Sequence, residues 1–198
     1  RCDAAAVREA LGVSVGDNMF SFRAGDVESA LKKAFPYIAS AEVSRGFPTK
    51  LTVTVEEEKP AACVEQYGEY FVLSRDLKVL ERLTDKPEGL LFLSTSPTDV
   101  CIVGRTAVFA DQRVANTIVR LLDALDGSGI LDKIVSVDMT NRFEIYFWYE
   151  DRFYVYMGTV DDAEIKTAFL VKVIEKLGNN RGNIDVSDTR EASFSIFE

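Results

Sequence analysis

Histidine is absent from the 198 residues. That removes the Ser–His and Cys–His nucleophile pairs and the imidazole ligands of most catalytic zinc sites. Carboxylate chemistry is what remains, since two Asp or Glu side chains can share acid and base roles in hydrolysis. The adjacent Asp161-Asp162 pair stands where a helix start favours negative charge, so its expected role is structural. Asp185 falls in a turn, with surface recognition as its second reading. The Glu56–Glu58 run reads as a solvated strand end rather than a cation or partner site. Gly12-x-x-x-Gly16 lacks the lysine and hydroxyl of a phosphate-binding loop and reads as a turn. Cys2, Cys63 and Cys101 fit no metal spacing and are odd in number. They read as small buried hydrophobes, with a bridge between two of them as the alternative. No catalytic, metal or cofactor site is expected.

Bulk composition points the same way. With 47% apolar and 28% charged residues, the chain is that of a folded globular protein. Net charge is −9. Residues 1–60 hold 9 acidic and 8 basic side chains, against 23 and 15 in residues 61–198. The shift supports a boundary near Pro60, and the acidity argues against nucleic-acid partners. No apolar run approaches the roughly 18 residues that cross a bilayer. Opening on Arg1, the chain reads as a fragment of a longer protein.

The elements that must position any site follow from periodicity. Asp3 is placed to cap a helix reaching Leu11, ended by Gly12. Met19 and Phe20 are expected core anchors in the connection 13–22. A second helix from Asp26 carries Val27, Ala30, Leu31 and Ala34 at the 3.6-residue period and stops at Pro36. Strands Ala39–Arg45 and Leu51–Val55 alternate apolar and polar residues around a four-residue turn, an antiparallel hairpin. Two helices and two strands make a meagre core, so a further strand ahead of Arg1 is expected.

Beyond Pro60 strands dominate. Ala61–Glu65 and Tyr70–Leu73 form a hairpin about Gly68; Lys86–Gly89 is a turn; Leu90–Leu93 is apolar; Thr95–Asp99 is a loop. A helix from Asp111 shows the stripe Val114, Ile118, Leu121, Leu122, Leu125 and ends at Gly127-Ser128-Gly129. A strand at Val135–Met139 precedes the aromatic hairpin Arg142–Tyr149 and Arg152–Tyr156. Rings there must alternate between a core face and a second face, either helix-covered or open to a partner. The helix Asp161–Leu177 is assigned an inner face of Ile165, Phe169 and Val173, extended by Ala168 and Leu177, with Lys172 and Lys176 near its end. The last strand, Ala192, Ser193, Phe194, Ser195, Ile196 and Phe197, alternates as a sheet edge would.

Residues 18–20, the helix after Asp26, Phe35–Leu51 and Val53–Ala62, with Pro48 in the turn and Pro60-Ala61-Ala62 at the exit, together resemble the polypeptide-transport-associated (POTRA) domain of the FtsQ/DivIB family. Strand, helix, hairpin, helix, Ile184-Asp185-Val186 and a terminal strand resemble that family's second domain. Three positions depart from its pattern: the extra acids of Glu56–Glu58, Leu77 where a turn glycine is usual, and Ser187-Asp188 where some members carry an aromatic. The resemblance implies an α+β fold in two domains. Residues 1–60 would be a POTRA domain of order helix-helix-strand-strand lacking its first strand. Residues 61–198 would be a mixed, strand-rich domain with two helices and a C-terminal edge strand.

The resemblance also implies a non-enzymatic cell-division scaffold. It would be anchored by one membrane helix outside this region and exposed on the extracytoplasmic side of the septum. Its implied partners are membrane-anchored coiled-coil proteins of the FtsB/DivIC and FtsL type, and a septal synthase, which it would gather for peptidoglycan synthesis. Contact would run along residues 192–197, with Asp185, Lys172 and Lys176 beside them, by strand addition. Ser195→Pro is the substitution expected to remove an edge N–H. Two rival readings are a POTRA-containing outer-membrane assembly or secretion component, and a carboxylate-based cell-wall enzyme.

Overall fold

The computed structural model describes residues 4–12, 18, 23–46 and 50–197. Asp3, Met19, Phe20, Cys2 and the turn holding Pro48 lie outside the described residues. Helix α1 (Ala4–Ala10) is closed by Gly12 at φ +62°, a left-handed cap that costs glycine nothing. Helix α2 (Ala24–Ala34) stops because Phe35, ahead of Pro36, is driven to extended backbone at φ −123° and ψ 100°. Its buried stripe is narrower than the periodicity predicts: Val27 and Leu31 are buried, while Ala30 and Ala34 face solvent. Strands β1 (Ile38–Gly46) and β2 (Lys50–Glu57) pair antiparallel, and Ile38 and Ala41 join Val27 and Leu31 in a small core.

The remaining chain builds a mixed sheet of nine strands. They are β3 (Pro60–Gln66), β4 (Glu69–Ser74), β5 (Val79–Leu83), β6 (Leu91–Thr95), β9 (Ile134–Met139), β10 (Ile145–Tyr149), β11 (Phe153–Gly158), β12 (Gly182–Asp185) and β13 (Ser193–Ile196), in the order β13-β12-β11-β10-β9-β6-β3-β4-β5. The segment expected as a loop at Thr95–Asp99 instead enters a small ribbon of β7 (Thr98–Val100) with β8 (Val108–Phe109). Helix α3 (Gln112–Gly127) carries the chain from β6 to its parallel neighbour β9, and α4 (Ala163–Leu177) from β11 to its parallel neighbour β12. A parallel neighbour cannot be reached by a tight turn, so each connection crosses over a sheet face. Both helices enter one core with Phe147, Phe153, Val155 and Ile184, so they cover the same face.

Local backbone strain marks the tight turns. Tyr67-Gly68 take positive φ at both positions, as a two-residue hairpin requires, and Glu150-Asp151 do the same within the three-residue connection 150–152. Leu77 stands at φ +61° and is 2% exposed, so a leucine occupies the left-handed position that usually takes glycine. Its burial offsets the roughly 1 kcal/mol of backbone strain.

Helix α4 corrects the periodic reading most sharply. It starts at Ala163 rather than Asp161, and its buried residues are Ala163, Lys166, Thr167, Leu170 and Ile174. Ile165 is 56% exposed and Ala168 is exposed, while Phe169, Val173 and Leu177 are only half-buried. Polar groups can take the inner face because each finds acceptors. The Lys166 ammonium donates to the Met157 and Thr159 carbonyls at 3.2 and 3.0 Å. The Thr167 hydroxyl reaches the Ala124 carbonyl of α3 at 3.2 Å.

The β1–β2 unit meets the large sheet through side chains. The Tyr37 hydroxyl donates to Glu81 at 2.8 Å, and Lys78 donates to the Ile38 carbonyl at 2.8 Å with Glu58 at 3.8 Å.

Candidate interaction edge and outer sheet face

Among the described residues strand β13 has one neighbour, β12, and so forms the sheet's rim. Which of its main-chain groups are free follows from β12. Gly182 and Val186 donate their N–H groups to the Arg152 and Tyr156 carbonyls on the β11 side, at 3.1 and 2.9 Å. Alternate residues of a strand point their hydrogen-bonding groups to opposite neighbours, so Asn183 and Asp185 turn theirs toward β13. Their partners are Ser195 and Ser193. The outward groups therefore belong to Phe194 and Ile196. This corrects the choice of Ser195→Pro, which would break the internal ladder instead of the rim.

Side chains along the strand alternate as expected. Phe194 is half-buried and meets Phe153 edge-on at 6.3 Å, while Ile196 is 67% exposed. On the opposite side Ser193 and Ser195 are exposed, and Phe197 leans on Trp148 at 5.9 Å. Ala192 is half-buried. Gly182 is what admits β13 so closely: a Cβ there would stand 2.1 Å from the Ser195 carbonyl oxygen. The turn into the strand is held by Asp185, which accepts from the Ser187 N–H at 2.8 Å, and by Asp188, which accepts from the Arg190 N–H at 2.9 Å. Hydrogen bonds from Arg190 hold the Asp188 carboxyl low, at about 2.

Of the other predicted site residues, Asp185 is joined directly to the rim by its pairing with Ser193. Lys172 and Lys176 are exposed on α4, with no ion pair among the described residues. Helical spacing places them on the same flank as Ile165, Phe169 and Val173, the flank turned away from α3. Phe169 and Val173 pack against the core with part of their surface open, as periodicity assigned them, and Ile165 alone stands outside it.

Among the described residues no helix covers the second aromatic face, since α3 and α4 both lie on the other side. Phe147, Tyr149 and Phe153 are core. Tyr146, Trp148, Tyr154 and Tyr156 are half-exposed on the outer face, with Tyr146 stacked on Tyr154 at 5.5 Å and on Tyr156 at 4.7 Å. Loss of hydration, then the neighbouring Tyr156 and the negative charge of Glu144 and Asp185, push the Tyr146 phenol up.

The carboxylates singled out for hydrolysis do not converge. Asp161 is exposed and pairs with Arg120 at 3.5 Å, and Asp162 caps α4 at φ +55°. Glu56 accepts from the Ser40 hydroxyl at 2.7 Å, and Glu58 turns to Lys78. Cys63 and Cys101 carry free thiols, and burial pushes that of Cys63 up to about 11. Among the described residues no cluster of metal-ligating side chains occurs, and no helix is long and apolar enough to cross a membrane.

Residues 1–58 match the family described as "POTRA domain, FtsQ-type". A "Cell division protein FtsQ" of Syntrophotalea carbinolica is 31% identical over 182 residues, covering 88% of this chain and 61% of the relative. The chain is similar to members of the FtsQ/DivIB family. A second "Cell division protein FtsQ", from Streptomyces bingchenggensis, is 28% identical over 87 residues, 44% of this chain and 33% of that protein. The chain thus spans less than two thirds of the length of either relative. Among solved structures, the major extracytoplasmic domain of the cell division protein DivIB from Geobacillus stearothermophilus covers 62% of this chain and 95% of its own. The TM-score is 0.40 at 14% identity. Leu77 holds its turn in the left-handed region, and Asp188 is paired with Arg190.

Proposed function

We propose that this chain is the extracytoplasmic part of a single-pass division protein that acts as a scaffold without turnover. Residues 1–60 would form its POTRA unit and residues 61–198 its partner-binding unit. Its partners would be membrane-anchored coiled-coil proteins of the FtsB/DivIC and FtsL type, brought to the septal synthase. The observation that carries the reading is the open rim of β13, whose outward N–H and C=O groups at Phe194 and Ile196 suit an added strand. The apolar flank of α4 with Lys172 and Lys176 would receive a helical part of the same partner.

The test is Ile196→Pro, measured by calorimetry against the periplasmic or external segment of the coiled-coil partner. Proline removes an outward N–H from an exposed edge position while leaving the bonds to β12 in place. Binding is expected to weaken roughly tenfold or more, the equivalent of one main-chain hydrogen bond with its register. Ile196→Ala, which keeps the N–H, should lose less. A folded Ile196→Pro variant with undiminished affinity removes strand addition at β13 as the mechanism.

A further inference from the structure

Independently of the rim, we propose that the outer face of the sheet, over β9–β12, binds an extended basic peptide segment through Asp138 and Asp185 with the tyrosines between them. The register places Asp185, Tyr156, Tyr146 and Asp138 in one row across four adjacent strands. The neighbouring row is Asn183, Tyr154, Trp148 and Ser136. Asp138 is exposed, and Asp185 is half-exposed. Glu144, beside the same tyrosines, is exposed. None of these three carboxylates meets a Lys or Arg in an ion pair among the described residues; they accept instead from Thr140, Ser187 and Asn141. The face therefore offers uncompensated negative charge around an aromatic strip.

Charge complementarity and spacing select the occupant. Three inter-strand steps of about 4.8 Å put the two aspartates about 14 Å apart. An extended peptide advances about 3.3 Å per residue, so side chains four positions apart reach about 13 Å. Basic residues at i and i+4 would meet the two carboxylates, and an aliphatic residue at i+2 would lie over the rings. Lys and Arg suit such a strip because their stems pack on ring edges while their heads meet acceptors. A saccharide fits less well: Tyr146 lies within 10° and 28° of its two neighbours' planes, so those ring faces are turned to each other rather than to a sugar.

The chain's single tryptophan, Trp148, lies in this face and reports on it directly. The experiment titrates the intact chain with an acetylated, amidated Gly-Arg-Ser-Val-Ser-Arg-Gly peptide and follows Trp148 emission. A saturable change is expected, weakening as salt is raised. The isosteric double variant Asp138→Asn/Asp185→Asn should bind about tenfold more weakly, from two exposed charge pairs of under about 1 kcal/mol each. Asp76→Asn/Asp132→Asn removes the same charge elsewhere and should stay within about twofold. Equal losses in both variants would reduce the effect to non-specific attraction and overturn the proposal. So would an emission change with chitohexaose and none with the peptide, which would make the face a glycan site.

Discussion

Gly182→Ala isolates how β13 is held. Gly182 has no positive φ, so alanine suits its backbone and the whole effect is steric. The new methyl would stand 2.1 Å from the Ser195 oxygen, 2.8 Å from a ring carbon of Phe194 and 2.9 Å from the Ser195 carbonyl carbon. Two of these are main-chain atoms of β13, which a rotamer change cannot move. The strand's attachment is modest. Its bonds through Asn183 and Asp185 contribute about 1 kcal/mol each, and the half-buried Phe194 adds about 1 kcal/mol. Against these stands about 1 kcal/mol of backbone entropy for each ordered residue. An overlap costing even a few kcal/mol should therefore release the strand. Hydrogen exchange by NMR should show the Ser193 and Ser195 amides losing protection, with amides of β9–β11 unchanged. The thermal midpoint should move little, because the core around Phe147 and Phe153 does not need β13. Retained protection at Ser193 and Ser195 would mean that β13 does not seat against Gly182 as described.

Two further outcomes follow from single residues. Leu77→Gly relieves about 1 kcal/mol of left-handed strain but empties a site that is 2% exposed. Leucine truncation in a core costs about 2–5 kcal/mol, so the variant should be destabilised by roughly 1–4 kcal/mol in chemical denaturation; a gain in stability would refute the burial argument. Asp188 has its carboxyl lowered to about 2 from an ordinary 3.8, so its contribution is complete above the ordinary value and is lost as pH falls through about 2. A carboxyl-carbon titration should place its midpoint near 2, and Arg190→Ala should return it toward the ordinary value.

What was legible in the sequence follows from which forces are local. The α3 stripe from Val114 to Leu125 is buried as its spacing predicts, and the alternation of β2 gives its half-buried face directly. Helix α4 defeated the same logic because the inner face is decided by acceptors that periodicity cannot see. Lys166 and Thr167 are buried by carbonyls from β11, the turn after it, and α3, which leaves Ile165 outside and Phe169 only half-buried. The edge character of residues 192–197 was readable from alternation and position. Which N–H groups point outward was not, because that parity belongs to the pairing of β12 with β11. A strand of Ser and Phe carries no mark of it.

The location of the candidate surfaces follows from topology more than from any motif. Both crossover helices connect parallel neighbours and pack on one face, so the other face keeps aromatic residues with no layer above them among the described residues. Such a face stays soluble only if polar groups are threaded through it, and Asp138 and Asp185 do that here in the same row as Tyr146 and Tyr156. Placing the carboxylates next to the rings removes the need for a covering helix and at the same time creates a surface selective for positive charge. The rim is governed by a different economy: β13 is short, weakly attached and ends on Phe197 against Trp148. A partner strand that ordered β13 would also tighten that ring contact, so occupancy of the rim should be felt on the outer face through a single side chain.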